Sequence, residues 1–355
     1  MNAVKLSILD QSPIAMGSNA REAVQQTVRI AELADRLGYH RFWVSEHHDA
    51  SALAGSVPEI LIAHLATKTQ SIRVGSGGVM LPHYSAYKVA ETFRMLELLH
   101  PGRIDLGIGR APGGMPRSTM ALQEGRTREL NYLQQVEDLK GYLTDSLPAT
   151  HRFAGLTAAP VVDTVPELWM LGSSDFSAAA AGDAGAAFMF AQFINGSRSD
   201  GIEAVASYRR RFRPSPWLER PMAAVAVFVI CAETDADADR IASSLDLSLV
   251  MLANGQRREG TPTIEMAQSY PYSPYERALV QENRKRMVVG SPASVRQQLE
   301  ALAADYGVDE VMVATTTAEF ADRVRSFELL AQAFQLTPRG TSAQNADVSA
   351  VDRKE

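Results

Sequence analysis

Arg41-Phe42-Trp43-Val44-Ser45-Glu46-His47-His48-Asp49 is the stretch on which the reading of the fold turns. Its first half is short, apolar and aromatic, with no polar face, which is how a strand reads when both of its sides are covered in a parallel sheet. Its second half places a carboxylate and two imidazoles where that strand ends. In α/β barrels this rim is where active sites stand.

The same unit recurs on both sides of it. Short Val/Ile/Leu-rich runs predict strands at about 4–10, 40–45, 72–79, 103–109, 167–171, 186–191, 222–231 and 308–314. Apolar residues three and four apart predict helices at about 20–38, 56–69, 85–99, 124–145, 176–184, 199–212, 234–252 and 292–305, with a last one near 317–335. Eight strands alternating with helices suit a closed (β/α)8 barrel, with an open doubly wound sheet as the alternative. The dinucleotide fingerprint of that alternative is missing, because Gly107-Ile108-Gly109 follows a strand but its third glycine falls on Pro112. One barrel domain is expected over 1–337, with a disordered polar tail over 338–355. Two segments exceed a minimal barrel, one after the fourth strand and one after the seventh. Residues 146–166 read as an excursion or short hairpin, and residues 253–290 as a long loop with some helix that would cover the mouth as a lid.

The chain has 355 residues, 46% hydrophobic and 21% charged, as ordinary globular proteins have. A net charge of -6 with scattered Lys and Arg leaves no basic footprint for nucleic acid. The single cysteine, Cys231, rules out an internal disulfide or a cysteine-rich metal cluster. The first residues, Met1-Asn2-Ala3-Val4-Lys5-Leu6, lack the apolar region of a secretory signal, and no apolar run approaches a bilayer span. A soluble cytoplasmic protein is the expectation, without nucleic-acid or membrane partners.

Each candidate site residue has a structural alternative beside its functional reading. Adjacent strand residues face opposite ways, so His47 and His48 cannot both ligate one metal from an extended backbone, and no metal site is expected. A histidine at this rim is either a reactive group or a strand cap, with Glu46 beside it. Val74-Gly75-Ser76-Gly77-Gly78-Val79 carries three glycines in an apolar strand, which fits close approach of a flat ring system or a crowded barrel corner. Arg110 follows the fourth strand among small residues, placed for a phosphate or for a surface ion pair. Ser173, Ser174 and Ser177 follow the fifth strand and suit either helix caps or an anion cradle, the latter only if Asp175 faces away.

Taken in order, these segments resemble the bacterial-luciferase-like family of flavin monooxygenases, over about residues 6–334. The most specific pieces are Gly38-Tyr39-His40-Arg41-Phe42-Trp43-Val44-Ser45-Glu46-His47-His48, Val74 to Pro82, Pro101 to Gly113, Leu171-Gly172-Ser173-Ser174, and Val289-Gly290-Ser291-Pro292 with Tyr306-Gly307-Val308-Asp309-Glu310. The resemblance implies reduced FMN and dioxygen as co-reactants, a flavin hydroperoxide that places one oxygen atom on a small organic substrate, and His47, with Glu46 beside it, assisting at the oxygen. It implies a cis peptide at Gly77-Gly78 beneath the flavin, with Ser76 next to it, and a phosphate held by Arg110, Ser173, Ser174 and Ser177, with Arg128 as a further basic contact. No second nicotinamide-binding domain is visible, so a separate NAD(P)H:flavin reductase would supply the reduced FMN. The helix faces near 56–69 and 85–99 could pair two copies as a homodimer. Within the same superfamily, a deazaflavin-dependent hydride transfer is the alternative enzyme, and a flavin-binding protein without turnover is the alternative of another class.

Overall fold

A computed structural model describes residues 4–126, 131–256 and 259–338. The chain runs β1 (Lys5–Asp10), α1 (Ala20–Leu37), β2 (Arg41–Val44), α2 (Pro58–Lys68), β3 (Arg73–Ser76), β4 (Val79–Met80), α3 (Ala86–Leu99), β5 (Ile104–Gly109), α4 (Pro116–Leu122) and α5 (Tyr132–Leu143). It continues through β6 (Glu167–Gly172), α6 (Asp175–Ala184), β7 (Ala187–Ala191), α7 (Arg198–Arg211), β8 (Ala223–Cys231) and α8 (Asp235–Ala253). The last elements are α9 (Ile264–Ser269), α10 (Pro274–Arg284), β9 (Met287–Gly290), α11 (Pro292–Tyr306), β10 (Glu310–Ala314) and α12 (Phe320–Ala333).

All strand pairs are parallel, in the order β10-β1-β2-β3-β5-β6-β7-β8, and β8 pairs back onto β10 to close the barrel. The expected luciferase-like (β/α)8 barrel is therefore the observed fold. Local chemistry sets the ends of its helices. Asn19, Ser174, Ser197, Thr234, Thr263 and Ser273 cap helices through their side chains, and proline opens α2, α10 and α11.

Four segments differ from the sequence expectation. The third strand is broken into β3 and β4 around Gly77-Gly78, whose peptide bond is cis and whose two sides are crowded. The helix expected at 124–145 starts only at Tyr132, capped by Asn131, while the short α4 precedes it. The excursion at 146–166 contains turns and no strand, and Arg94 of α3 clamps it by donating to Ala158 O within it and to Leu143 O and Asp145 Oδ2 just before it. The lid segment is also more ordered than a loop: it holds α9, α10 and β9, and β9 lies along the upper half of β8. That strand is four apolar residues between a basic run and a helix cap, too short to read as its own period. The expected tail lies outside the described residues apart from Pro338.

The barrel interior is layered by the two-residue period of its strands. In the middle layer Trp43 of β2 and Trp169 of β6 meet edge to face, 5.3 Å between ring centroids, both fully buried. Each indole removes on the order of 200 Å2 from water, worth roughly 5 kcal/mol. The strands beside them are bare. A side-chain carbon at Gly75 would lie 2.5 Å from Asp105 Cβ and 2.9 Å from Trp43 Nε1, and one at Gly107 would collide with Ser76 O and lie 2.9 Å from Leu171 Cδ1.

Below the tryptophans, at the amino ends of the strands, the layer is ionic. Arg41 donates to Asp105 Oδ2 at 2.9 Å, Glu167 Oε2 at 2.8 Å and Glu310 Oε1 at 3.0 Å, while Arg73 Nε donates to Asp105 Oδ1 at 2.8 Å. Trp43 Nε1 also donates to Asp105, joining the two layers. Burial opposes ionisation of Asp105, but the charges of Arg41 and Arg73 and the Trp43 and Arg41 hydrogen bonds outweigh it and hold the pKa below its ordinary 3.8.

A group with a depressed folded-state pKa stabilises the fold at neutral pH and loses that contribution as pH falls. Stability should therefore decline as pH drops below 3.8, the ordinary value of Asp105. Asp105→Asn strands Arg41 and Arg73 with less charge to balance them, and should cost about 3–5 kcal/mol in urea unfolding at pH 7. A loss under 1 kcal/mol would show that the buried network contributes little.

Candidate active site

At the carboxyl end of β2 the alternation of the strand persists one turn beyond its last hydrogen bond. Arg41, Trp43 and Ser45 share the inner face, and Ser45 Oγ lies 3.0 Å from His47 Nδ1, so the His47 ring belongs to the barrel mouth. Glu46 takes the other face, toward the helices, and is fully buried. Its Oε1 lies 2.7 Å from His48 Nε2 and accepts from Tyr84 OH at 2.7 Å, and its Oε2 accepts from Met80 N at 2.9 Å. Burial, followed by the Glu46 hydrogen bond, pushes the Tyr84 phenol far above its ordinary 10.0, so it stays a neutral donor at any physiological pH. Glu46 thus acts behind the wall, fixing the second strand to β4 and α3, and His47 alone of the pair faces inward.

The His48 ring stands edge-on to His83 at 5.9 Å, and the His48 main chain donates to Gly113 O. Arg126 reaches back to Pro82 O and His83 O, which pins the segment after α4 to the rim.

At the next strand, Gly77 and Gly78 are bare for a packing reason. A side-chain carbon at Gly77 would sit 2.6 Å from Leu9 Cδ1, and one at Gly78 would sit 2.8 Å from Gly107 O. The crowded-corner reading of these glycines is therefore sufficient to explain them, whatever lies above. Ser76 is fully buried, donating to Gly107 O at 2.8 Å and accepting from Gly107 N at 3.1 Å, so its hydroxyl locks β3 to β5 and is not presented at the mouth.

Two strands on, Arg110 is exposed, and its guanidinium carbon stacks 4.3 Å from the centre of the Phe176 ring. Among the described residues no carboxylate pairs with it, so the ion-pair alternative is not what the structure contains. Phe176 belongs to the first turn of α6, which brings Arg110 to that helix N-terminus. Ser174 caps the helix, accepting weakly from Ser177 N at 3.4 Å, and its hydroxyl lies 3.3 Å from that of Ser177. Asp175 is exposed, and its charge, after that of Asp183, adds to the raised pKa of Arg211 on α7. Ser173 contributes its carbonyl to Asn195 Nδ2. A cavity of about 450 Å3 opens here, lined by Pro82, Arg110, Tyr132, Gln135 and Phe176 among others. Ser174 and Ser177 do not line this cavity, but they stand at the same helix N-terminus as Phe176, and a guanidinium with no acid partner among the described residues, together with such hydroxyls, is chemistry suited to a phosphate monoester. Arg128 lies outside the described residues.

Above the mouth, main-chain hydrogen bonds build a small crown. His47 N donates to Gly55 O, Ala54 N to Ser12 O, Ile14 N to Ala52 O, and Thr261 N to Ile14 O. The segment after α8 is thereby tied to the loop that carries His47. Phe176, Tyr84 and Tyr132 are the side chains that sequence reading passed over, since nothing in local spacing marks an aromatic on one helix as the neighbour of an arginine on another strand. Among the described residues no group of three or more His, Cys, Asp or Glu could hold a metal, and no helix is long and apolar enough to cross a membrane.

Tyr84→Phe removes one of the donors to the buried Glu46 carboxylate. The expected cost is about 1–3 kcal/mol, read as a lower urea midpoint with an unchanged slope. An unchanged midpoint would mean that another donor replaces the phenol.

A family model described as luciferase-like monooxygenase matches residues 4–310. The Bacillus subtilis (strain 168) protein named Uncharacterized protein YwcH is 54% identical over 332 residues, which is 93% of this chain and 99% of that one. N-acetyl-S-alkylcysteine monooxygenase of the same organism is 38% identical over 331 residues, 93% of this chain and 98% of that one. Among solved structures, apo-MsnO8 superposes with a TM-score of 0.85 at 40% identity, covering 95% of this chain and 99% of that chain. With a matched family model over most of its length, relatives along nearly the whole chain and the same closed barrel, this chain belongs to the luciferase-like monooxygenase family.

Proposed function

We propose that the protein is an FMN-dependent monooxygenase that places one atom of dioxygen on a small organic substrate and releases the other as water. The observation that carries this reading is the convergence of Arg110, Phe176 and the α6 N-terminus at the rim that also presents His47. The family of the chain supports the reaction class. Reduced FMN, when bound, supplies the two electrons that side chains cannot deliver to dioxygen.

The chain's own residues have separable parts. Arg110 grips the phosphate through its fork, with the hydroxyls of Ser174 and Ser177 and the helix N–H groups as further donors. The bare main chain at Gly77-Gly78 offers a surface against which a planar ring can lie. His47, oriented by Ser45, can hold or pass a proton at the mouth. Glu46 acts as a positioning residue through Tyr84, Met80 N and His48. The crown and the α9–α10 segment keep water from the mouth.

A separate NAD(P)H:flavin reductase fits a chain whose barrel accounts for nearly all of its described elements. Val57, Ile60, Met95, Leu98 and Leu99 are exposed at α2 and α3 and favour a homodimer across these helices. A buried single thiol suits the reducing cytoplasm.

Arg110→Ala should weaken FMN by roughly 10- to 100-fold while changing riboflavin affinity by less than about threefold, since only FMN carries the phosphate. Equal losses in a fluorescence titration would remove Arg110 from that role. In stopped flow the wild type should delay aerobic reoxidation of bound reduced FMN relative to the free cofactor, and His47→Ala should shorten the delay without loss of FMN binding. Reoxidation as fast as in free solution would instead favour a flavin-binding protein without turnover, and a preference for a deazaflavin would favour hydride transfer.

A further inference from the structure

We propose that the thioether of Met80 is an oxidation site built into the barrel mouth, converted to the sulfoxide by hydrogen peroxide released there when reduced cofactor meets dioxygen without an organic substrate. The inference rests on the monooxygenase reading above and extends it to a residue of the wall.

Met80 ends β4, two residues beyond Gly78, and pairs in register with Gly109 of β5. Its main chain is held by the bond from its N–H to Glu46 Oε2 at 2.9 Å. Its side chain takes the room left by two missing ones. A side-chain carbon at Gly109, which shares the inner face with Gly107 and Asp105, would lie 3.3 Å from Met80 Sδ. One at Gly113 would lie 3.0 Å from Met80 Cγ and 3.6 Å from His48 Cδ2. The sulfur therefore lies on the inner rim between the His47 strand and Arg110, and the residue is only half-buried. The barrel's other inward methionines, Met189 and Met312, are sealed in the core. Met115 and Met120, at 65% and 74% exposure, stand out in bulk solvent.

The step balances without a further reactant. A sulfur lone pair attacks one peroxide oxygen, the S–O bond forms as the O–O bond breaks, and the proton on the transferred oxygen passes to the departing hydroxide to give water. Sulfur is oxidised by two electrons and the peroxide is reduced by two. A flexible apolar side chain becomes a polar one at the mouth, so turnover without substrate leaves a chemical record in the wall.

The test is wild-type protein given reduced FMN in air, without organic substrate and with catalase in the bulk, followed by digestion and peptide mass spectrometry. The expected result is sulfoxide at Met80 at least about fivefold above that at Met115 or Met120. Added hydrogen peroxide without flavin should reverse the order, because exposure then decides. Unmodified Met80 under the first condition, or the same order under both, overturns the inference. A parallel flavin-fluorescence titration separates the two failures: bound FMN with unmodified Met80 sinks this inference alone, whereas no binding sinks it together with the proposed function.

Discussion

The structure depends on a fit of large against absent side chains inside the barrel. Two indoles fill the middle layer, and the strands beside them are bare at Gly75 and Gly107, where any side-chain carbon would collide. An interior packed to crystal-like density tolerates no other arrangement of those volumes. Filling the middle in this way packs the barrel interior above its ionic floor.

That floor and the rim use charge in opposite manners. At the amino ends of the strands, Arg41 and Arg73 are matched by Asp105, Glu167 and Glu310, and the cluster is closed upon itself. At the carboxyl ends, Arg110 has no acid partner among the described residues and faces an aromatic ring and a helix N-terminus. A matched set resists change, whereas an unmatched cation is available to an anion from outside. The contrast separates a self-matched ionic floor from the rim at which binding is proposed.

The rim itself is assembled from segments far apart in sequence. Glu46, Met80 and Tyr84 meet behind the wall, and Ser12, Ala52, Gly55 and Thr261 meet above it. His47 sits between these two sets. Its orientation is a consequence of strand alternation, and its enclosure is a consequence of loops that fold back across the mouth.

The alternation of apolar runs and helical periods was enough to read the barrel, because both periods are local properties of the backbone. The same parity argument set His47 and His48 on opposite faces, while the choice of His47 came from the family resemblance. The serines before α6 were legible as caps from their position alone. What sequence could not decide was which explanation of a residue holds. Gly75 answers to Asp105, Gly77 to Leu9, Gly78 to Gly107, and Arg110 answers to Phe176, partners separated by tens of residues. The strand β9 stayed hidden because four apolar residues carry no period, and only the exposed edge of β8 makes a strand of them. Sequence by itself determined the eight βα units and their order, since each rests on contacts within a few residues. The tertiary structure decided the partners, since volume and charge are matched across the barrel and not along the chain.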